Sequence, residues 1–223
     1  MFDNIIIAAG ANENFPDALS GSYLAKVKGA PILLTLPDNY KDVLNYVKKN
    51  FTGKGKVYIL GGTAVVTTGF EKDLKAKLGS NASKIKRIAG ADRYITNIKI
   101  LKEAGFAGDS FVVCTGINFP DALSASALGL PILLVNNDTG ALTSEQRNYL
   151  SQNSIKKAVK NIYFVGGTAV IQKSFESTIG SYFTGETITR IAGADRSETS
   201  KAVADKFFKG TETITIATGV NPA

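Results

Sequence analysis

The sequence predicts an α/β fold built as tandem modules, each with a small parallel sheet flanked by helices on both faces. Three observations carry this reading. Short runs that are apolar throughout alternate with helix-patterned segments, as strands buried on both faces do. Several runs end in glycine-rich turns such as Cys114-Thr115-Gly116 and Val165-Gly166-Gly167, at the carboxyl strand ends where ligands of such sheets bind. The same blocks also return in the same order about 103 residues later.

The elements follow along the chain. Ile5 to Gly10 reads as a strand. Asp92 to Ala104 reads as a helix, with Asp92 as N-cap, an apolar stripe of Ile95, Ile98, Leu101 and Ala104, and Gly105 as its stop. Phe111–Thr115 is a β-branched apolar strand, and a short helix starts at Asp121. Pro131–Val135 is a strand with proline at its first residue, where the missing N–H is tolerated. Ser144–Gln152 is a helix capped by Thr143, Asn161–Val165 a strand, Ser174–Tyr182 a helix and Glu186–Ile191 a strand. Ile214–Gly219 matches the opening strand.

Four blocks define the repeat. Phe15–Ser20 returns as Phe119–Ser124, Pro31–Leu34 as Pro131–Leu134, Gly61–Val65 as Gly166–Val170, and Arg87–Arg93 as Arg190–Arg196. A domain-sized period of this kind divides the chain into an incomplete first module at 1–86, a complete second at 87–189 and the start of a third at 190–223. Residues 190–223 could then supply what 1–86 lacks, within one chain or swapped between two, and a homo-oligomer or swapped dimer is one consequence.

Composition limits the chemistry. The 223 residues contain no histidine and one cysteine, Cys114. That leaves no histidine for a Ser-His-Asp triad, a Cys-His dyad or a zinc site of the usual kinds, and no internal disulfide. Cys114 stands where the other copies have Ala8 and Ala217, so it reads as a small buried residue. No carboxylate pair recurs in a way that suggests glycosidase work. Neither a phosphate-binding Walker motif nor a dinucleotide-binding glycine pattern follows any strand. No cofactor and no metal is expected. No apolar run approaches membrane-spanning length, and no secretion signal is visible at Met1-Phe2-Asp3-Asn4. The formal net charge is +7, which favours an anionic partner.

The motifs admit structural and functional readings side by side. Asp17 and Asp121 would cap the helices that follow Phe-Pro, or leave a helix N-terminus facing a ligand anion. Pro31–Leu34 and Pro131–Leu134 are core strands by composition. Gly-Gly-Thr allows close backbone approach. Arg87 and Arg93, with their counterparts Arg190 and Arg196, flank a glycine turn and a capping aspartate, Asp92 or Asp195. A guanidinium at a helix N-terminus opposes the macrodipole, so Arg93 and Arg196 need a partner: Asp17 or Asp121 at a module interface, or a phosphate or carboxylate of a ligand.

Together the blocks resemble the cell wall binding repeat type 2 family. The match runs through Arg87–Thr96, Gly116–Ser124, Pro131–Leu134 and Gly166-Gly167, and extends over the whole chain. The resemblance implies a cell-surface, S-layer-associated module of Gram-positive, especially clostridial, proteins. Such modules come in threes in a pseudo-threefold ring and anchor non-covalently to an anionic secondary cell wall polysaccharide, with the Pro-Ile-Leu-Leu segment implicated. The expected ligand-binding set is Arg87, Arg93, Arg190, Arg196, Pro31, Ile32, Leu33, Leu34, Pro131, Ile132, Leu133, Leu134, Gly166 and Gly167. The expected capping or interface set is Asp17, Asp92, Asp121 and Asp195. No catalysis, nucleic-acid partner or membrane insertion is expected. Two alternatives stay open: a fragment of a peptidoglycan amidase whose catalytic domain lies outside these residues, and a nucleic-acid-binding α/β module. The latter predicts aromatics interleaved with the basic residues on one face, where only Tyr94 sits suitably.

Overall fold

The computed structural model describes residues 1–11 and 14–212. The strand expected at Ile214–Gly219 lies outside the described residues. The chain forms two compact units, Met1–Gly105 and Phe106–Ala223.

The first unit runs β1 (Ile5–Ala9), α1 (Phe15–Lys28), β2 (Ile32–Thr35), α2 (Lys41–Asn50), β3 (Val57–Leu60), α3 (Thr68–Leu78), a 3-10 turn over Gly79–Lys84, β4 (Ile85–Ile88) and α4 (Arg93–Ala104). Its sheet is wholly parallel in the order β2-β1-β3-β4. Alternation along the two central strands divides the core. Ile5, Ile7, Ala9, Val57 and Ile59 pack with Leu44 and Val47 of α2 and with Phe70, Leu74 and Leu78 of α3. Ile6, Ala8, Tyr58 and Leu60 point the other way, to Leu24 of α1 and Ile100 of α4. Both faces are therefore covered, and the strands need no polar alternation.

The second unit repeats the plan: β5 (Ser110–Thr115), α5 (Pro120–Ser126), β6 (Ile132–Val135), α6 (Ser144–Leu150), α7 (Asn153–Ala158), β7 (Asn161–Val165), α8 (Ser174–Gly180), β8 (Thr187–Ile191) and α9 (Arg196–Phe207). The order β6-β5-β7-β8 is again parallel. Thr143 and Gln146 form a reciprocal capping box at the start of α6. The expected helix to Gln152 stops at Leu150, and α7 follows.

The units are phased differently from the repeat as read from sequence. β4 continues the first sheet through the register Val57↔Ile85 to Leu60↔Ile88, and α4 packs on α1. β8 and α9 do the same for β7 and α5. Residues 85–104 thus complete the first unit, and 187–207 complete the second. A parallel strand pairs with the neighbour that a right-handed crossover brings beside it, and that neighbour precedes it here.

Candidate functional site

In each unit one constellation gathers where the carboxyl strand ends meet the first turns of two helices. In the first unit, Asp17 lies in the opening turn of α1, Gly61 follows β3, and Arg93 opens α4. Asp17 is buried, and its Oδ1 has no hydrogen-bond partner among the described residues. Burial pushes its carboxyl up to about 6, against the opposing pull of the Arg93 guanidinium. Arg93 also lies over the Phe15 ring, 5.9 Å from its centroid. Gly61 has φ 99°, and a Cβ there would stand 2.4 Å from Asp17 Oδ2 and 2.5 Å from Val65 Cγ2. Glycine is required both by the backbone and by the carboxylate pressed against it.

The second unit reproduces this with Asp121, Gly166 and Arg196. Burial raises the Asp121 carboxyl, while a hydrogen bond to Thr199 and the charge of Arg196 pull it down. Gly166 has φ 129°, and its Cβ would meet Asp121 Oδ2 at 2.8 Å. So in each unit the arginine at the head of the last helix feels a carboxylate of the same unit.

Asp17 and Asp121 do not cap their helices. Asn14 and Phe119 occupy the cap positions, because Pro16 and Pro120 already stand within the first turn. The aspartates one residue further on turn inward to the strand-end glycines. Asp92 and Asp195 do cap, accepting from Ile95 N–H at 2.8 Å and Glu198 N–H at 2.9 Å. The glycine turn before each cap is fastened by a threonine: Thr96 Oγ1 accepts from Gly90 N–H at 2.9 Å, and Thr199 Oγ1 from Gly193 N–H at 3.0 Å.

Arg87 and Arg190 face inward. Arg87 donates from Nε to Glu71 at 2.9 Å, sets Nη2 2.8 Å from the same carboxylate, and gives Nη1 to the Gly61 carbonyl at 2.7 Å. Arg190 binds Glu176 at 2.7 Å and the Gly166 carbonyl at 2.8 Å, and lies over Phe164. Each ties the edge strand to the preceding helix and to the glycine turn. Glu71, Glu176 and Thr199 stand outside the sets expected from sequence, although Thr96 ends the matched motif. Their recurrence at the repeat offset is the signal that marks them.

The two Pro-Ile-Leu-Leu segments differ. Ile132, Leu133 and Leu134 are buried, whereas Leu34 is 57% exposed and Leu36 45% exposed. Gly62 and Gly167, the second glycines of their pairs, have open space where a Cβ would be. Cys114 is buried, and burial pushes its thiol well above the usual range, with the Asp121 charge adding to it. No group of side chains able to hold a metal ion occurs among the described residues, and no described helix is long and apolar enough to cross a membrane.

Paired α/β units with an arginine–carboxylate couple at each sheet end have the character of a binding module. Comparison with known proteins supplies the family. The model for cell wall binding domain 2 matches residues 2–71 and 87–176, and the chain belongs to that family. It is 30% identical over 218 residues to N-acetylmuramoyl-L-alanine amidase LytC of Bacillus subtilis, covering 96% of this chain and 40% of that protein. It is 29% identical over 213 residues to the amidase enhancer of the same species, covering 94% and 27%. Among solved structures, Cwp8 from Clostridium difficile matches with a TM-score of 0.78 at 28% identity over 93% of this chain and 34% of that one. Cwp6 from the same organism matches with a TM-score of 0.77 at 25% identity over 93% and 32%. The chain thus spans well under half the length of each of these relatives. It is a cell wall binding module, and its place is the cell wall or surface.

Proposed function

We propose that the chain holds a surface protein non-covalently on an anionic secondary cell wall polysaccharide and performs no catalysis itself. The observation that carries this is the recurrence, in both units, of an arginine at the head of the last helix beside the carboxyl ends of the strands: Arg93 and Arg196. Such sheet ends are where α/β folds bind ligands. The net charge of +7 supports an anionic polymer. The exposed Leu34 beside Ile32 and Leu33 offers an apolar surface for a sugar face in the first unit, and the open space at Gly167 leaves the second unit's strand end accessible to backbone approach. Arg87 and Arg190 then act by holding the glycine turns rather than by touching the polymer.

The relative named as an amidase is matched over only part of its length, so on this reading catalysis belongs to the remainder of such proteins. The reading assigns no nucleic-acid partner. It is tested by a pull-down on purified cell walls with and without chemical removal of the phosphate-containing polymer. Binding is expected to fall sharply after removal and to weaken with salt. Undiminished binding to stripped walls would sink it.

A further inference from the structure

The first unit carries a cluster of cations of which only Arg87 belongs to the constellations above. Along the edge strand β4 and the outer face of α4 lies an open cavity of about 330 Å³, lined by Lys86, Arg87, Ile88, Ala89, Lys99, Lys102 and Glu103. Four cations thus meet one carboxylate. Adding Glu71, which neutralises Arg87 from outside the lining, still leaves a surplus of two positive charges.

The cavity is organised. Lys86 Nζ stands 2.5 Å from Glu103 Oε2, and Tyr58 also hydrogen-bonds that carboxylate. Lys99 Nζ donates to the Ala89 carbonyl at 2.6 Å, which draws the amine back over the end of β4. Lys102, one turn on from Lys99 and next to Glu103 in sequence, makes no ion pair among the described residues. An ammonium has three donors, so Lys86 and Lys99 each keep two after their internal bonds.

The second unit has the same backbone here and a different charge. At the offset of 103, Lys86, Lys99, Lys102 and Glu103 become Thr189, Ala202, Asp205 and Lys206. Asp205 is taken by Lys201 at 2.6 Å, and Lys206 lies over the Tyr163 ring. The cation surplus is therefore a property of one module and is not required by the fold.

We propose that this cavity is an anion subsite for a phosphate group, distinct from the Arg93 and Arg196 positions, with Lys99 and Lys102 as its contacts and Glu103 positioning Lys86. Point-charge ammonium groups suit the many approach angles of a phosphate, where a planar carboxylate favours the arginine fork. The volume lies at the small end of ligand pockets and fits one phosphorylated sugar unit. As a subsite for the wall polymer it rests on the anchoring function proposed above. It makes the two modules unequal, with the first gripping charge at an additional point.

The test uses the whole chain and two probes. Inorganic phosphate and glycerol phosphate are titrated at constant ionic strength, against chloride, while backbone amide resonances are followed by NMR. Saturable shifts at Ala89, Lys99 and Lys102 are expected, and in Lys99→Gln/Lys102→Gln they should weaken by about tenfold. That variant changes two exposed residues, and an unchanged amide spectrum elsewhere verifies its fold. A gain-of-charge variant, Ala202→Lys/Asp205→Lys, is expected to bring shifts to the second unit. If phosphate moves these amides no more than chloride does while the chain still binds walls, the subsite is overturned and anchoring stands. If phosphate shifts them but the chain ignores polymer-bearing walls, the subsite stands and the anchoring function fails.

Discussion

Asp17 ties the stability of the first unit to pH. Its carboxyl moves from an ordinary 3.8 to about 6, chiefly because the group is buried. The folded state therefore holds the proton more tightly than the unfolded state. Between those two values the native form binds more protons, so stability falls as pH rises through the window. That rise corresponds to about 3 kcal/mol, present in full below pH ~4 and lost above pH ~6. Asp17→Asn removes the titration and keeps the shape. Urea unfolding of both proteins between pH 3.5 and 7.5 isolates the effect, because the other carboxylates cancel in the difference. The parent is expected to lose about 3 kcal/mol relative to the variant over that range. Arg93→Gln should extend the loss to higher pH, since it removes the guanidinium charge that holds the carboxyl down. A parent-to-variant difference that stays flat across the range would refute the argument.

Two further outcomes follow from the same geometry. Arg87→Ala leaves the Gly61 carbonyl without its guanidinium donor and Glu71 with Lys75 alone, at a site where the Arg87 and Glu71 side chains are mostly shielded, and should cost about 2 kcal/mol in urea unfolding; Lys201→Ala, which breaks a fully exposed pair, should change little. Gly61→Ala places a methyl against Asp17 Oδ2 and Val65 at a positive φ and should cost about 2 kcal/mol or more, visible as a lowered thermal midpoint.

The strands and most of the helices were legible because the core demands continuous apolar runs. Val112, Val113, Ile132 and Leu133 cannot be surface residues once both faces of a sheet are covered. The phase of the modules was not legible. A repeat looks the same from any starting point, and only the pairing of β4 with β3 and the packing of α4 on α1 decide where a unit closes. The arginines divided in the same way. Arg87 and Arg93 share one motif, yet Arg87 points from a strand toward Glu71 while Arg93 opens a helix over Phe15. Spacing within a motif does not reveal which carboxylate the fold brings near. Asp17 does not cap for a local reason: a proline already inside the first turn moves the cap back to Asn14.

The placement of α4 against α1 has a consequence for how the first unit is made. Asn97 on α4 donates to the Ser20 hydroxyl on α1 at 3.0 Å, across 77 residues of chain and in a buried setting. During synthesis that hydroxyl, and the apolar side of α1 around Leu24, wait without their cover until the last twelve residues of the unit have emerged. The strand at the middle of the sheet is the first made, and the helix that seals it is the last. Assembly is thus tied to completion, and a nascent chain stopped short of Ala104 retains an open, sticky face for any holding factor to recognise.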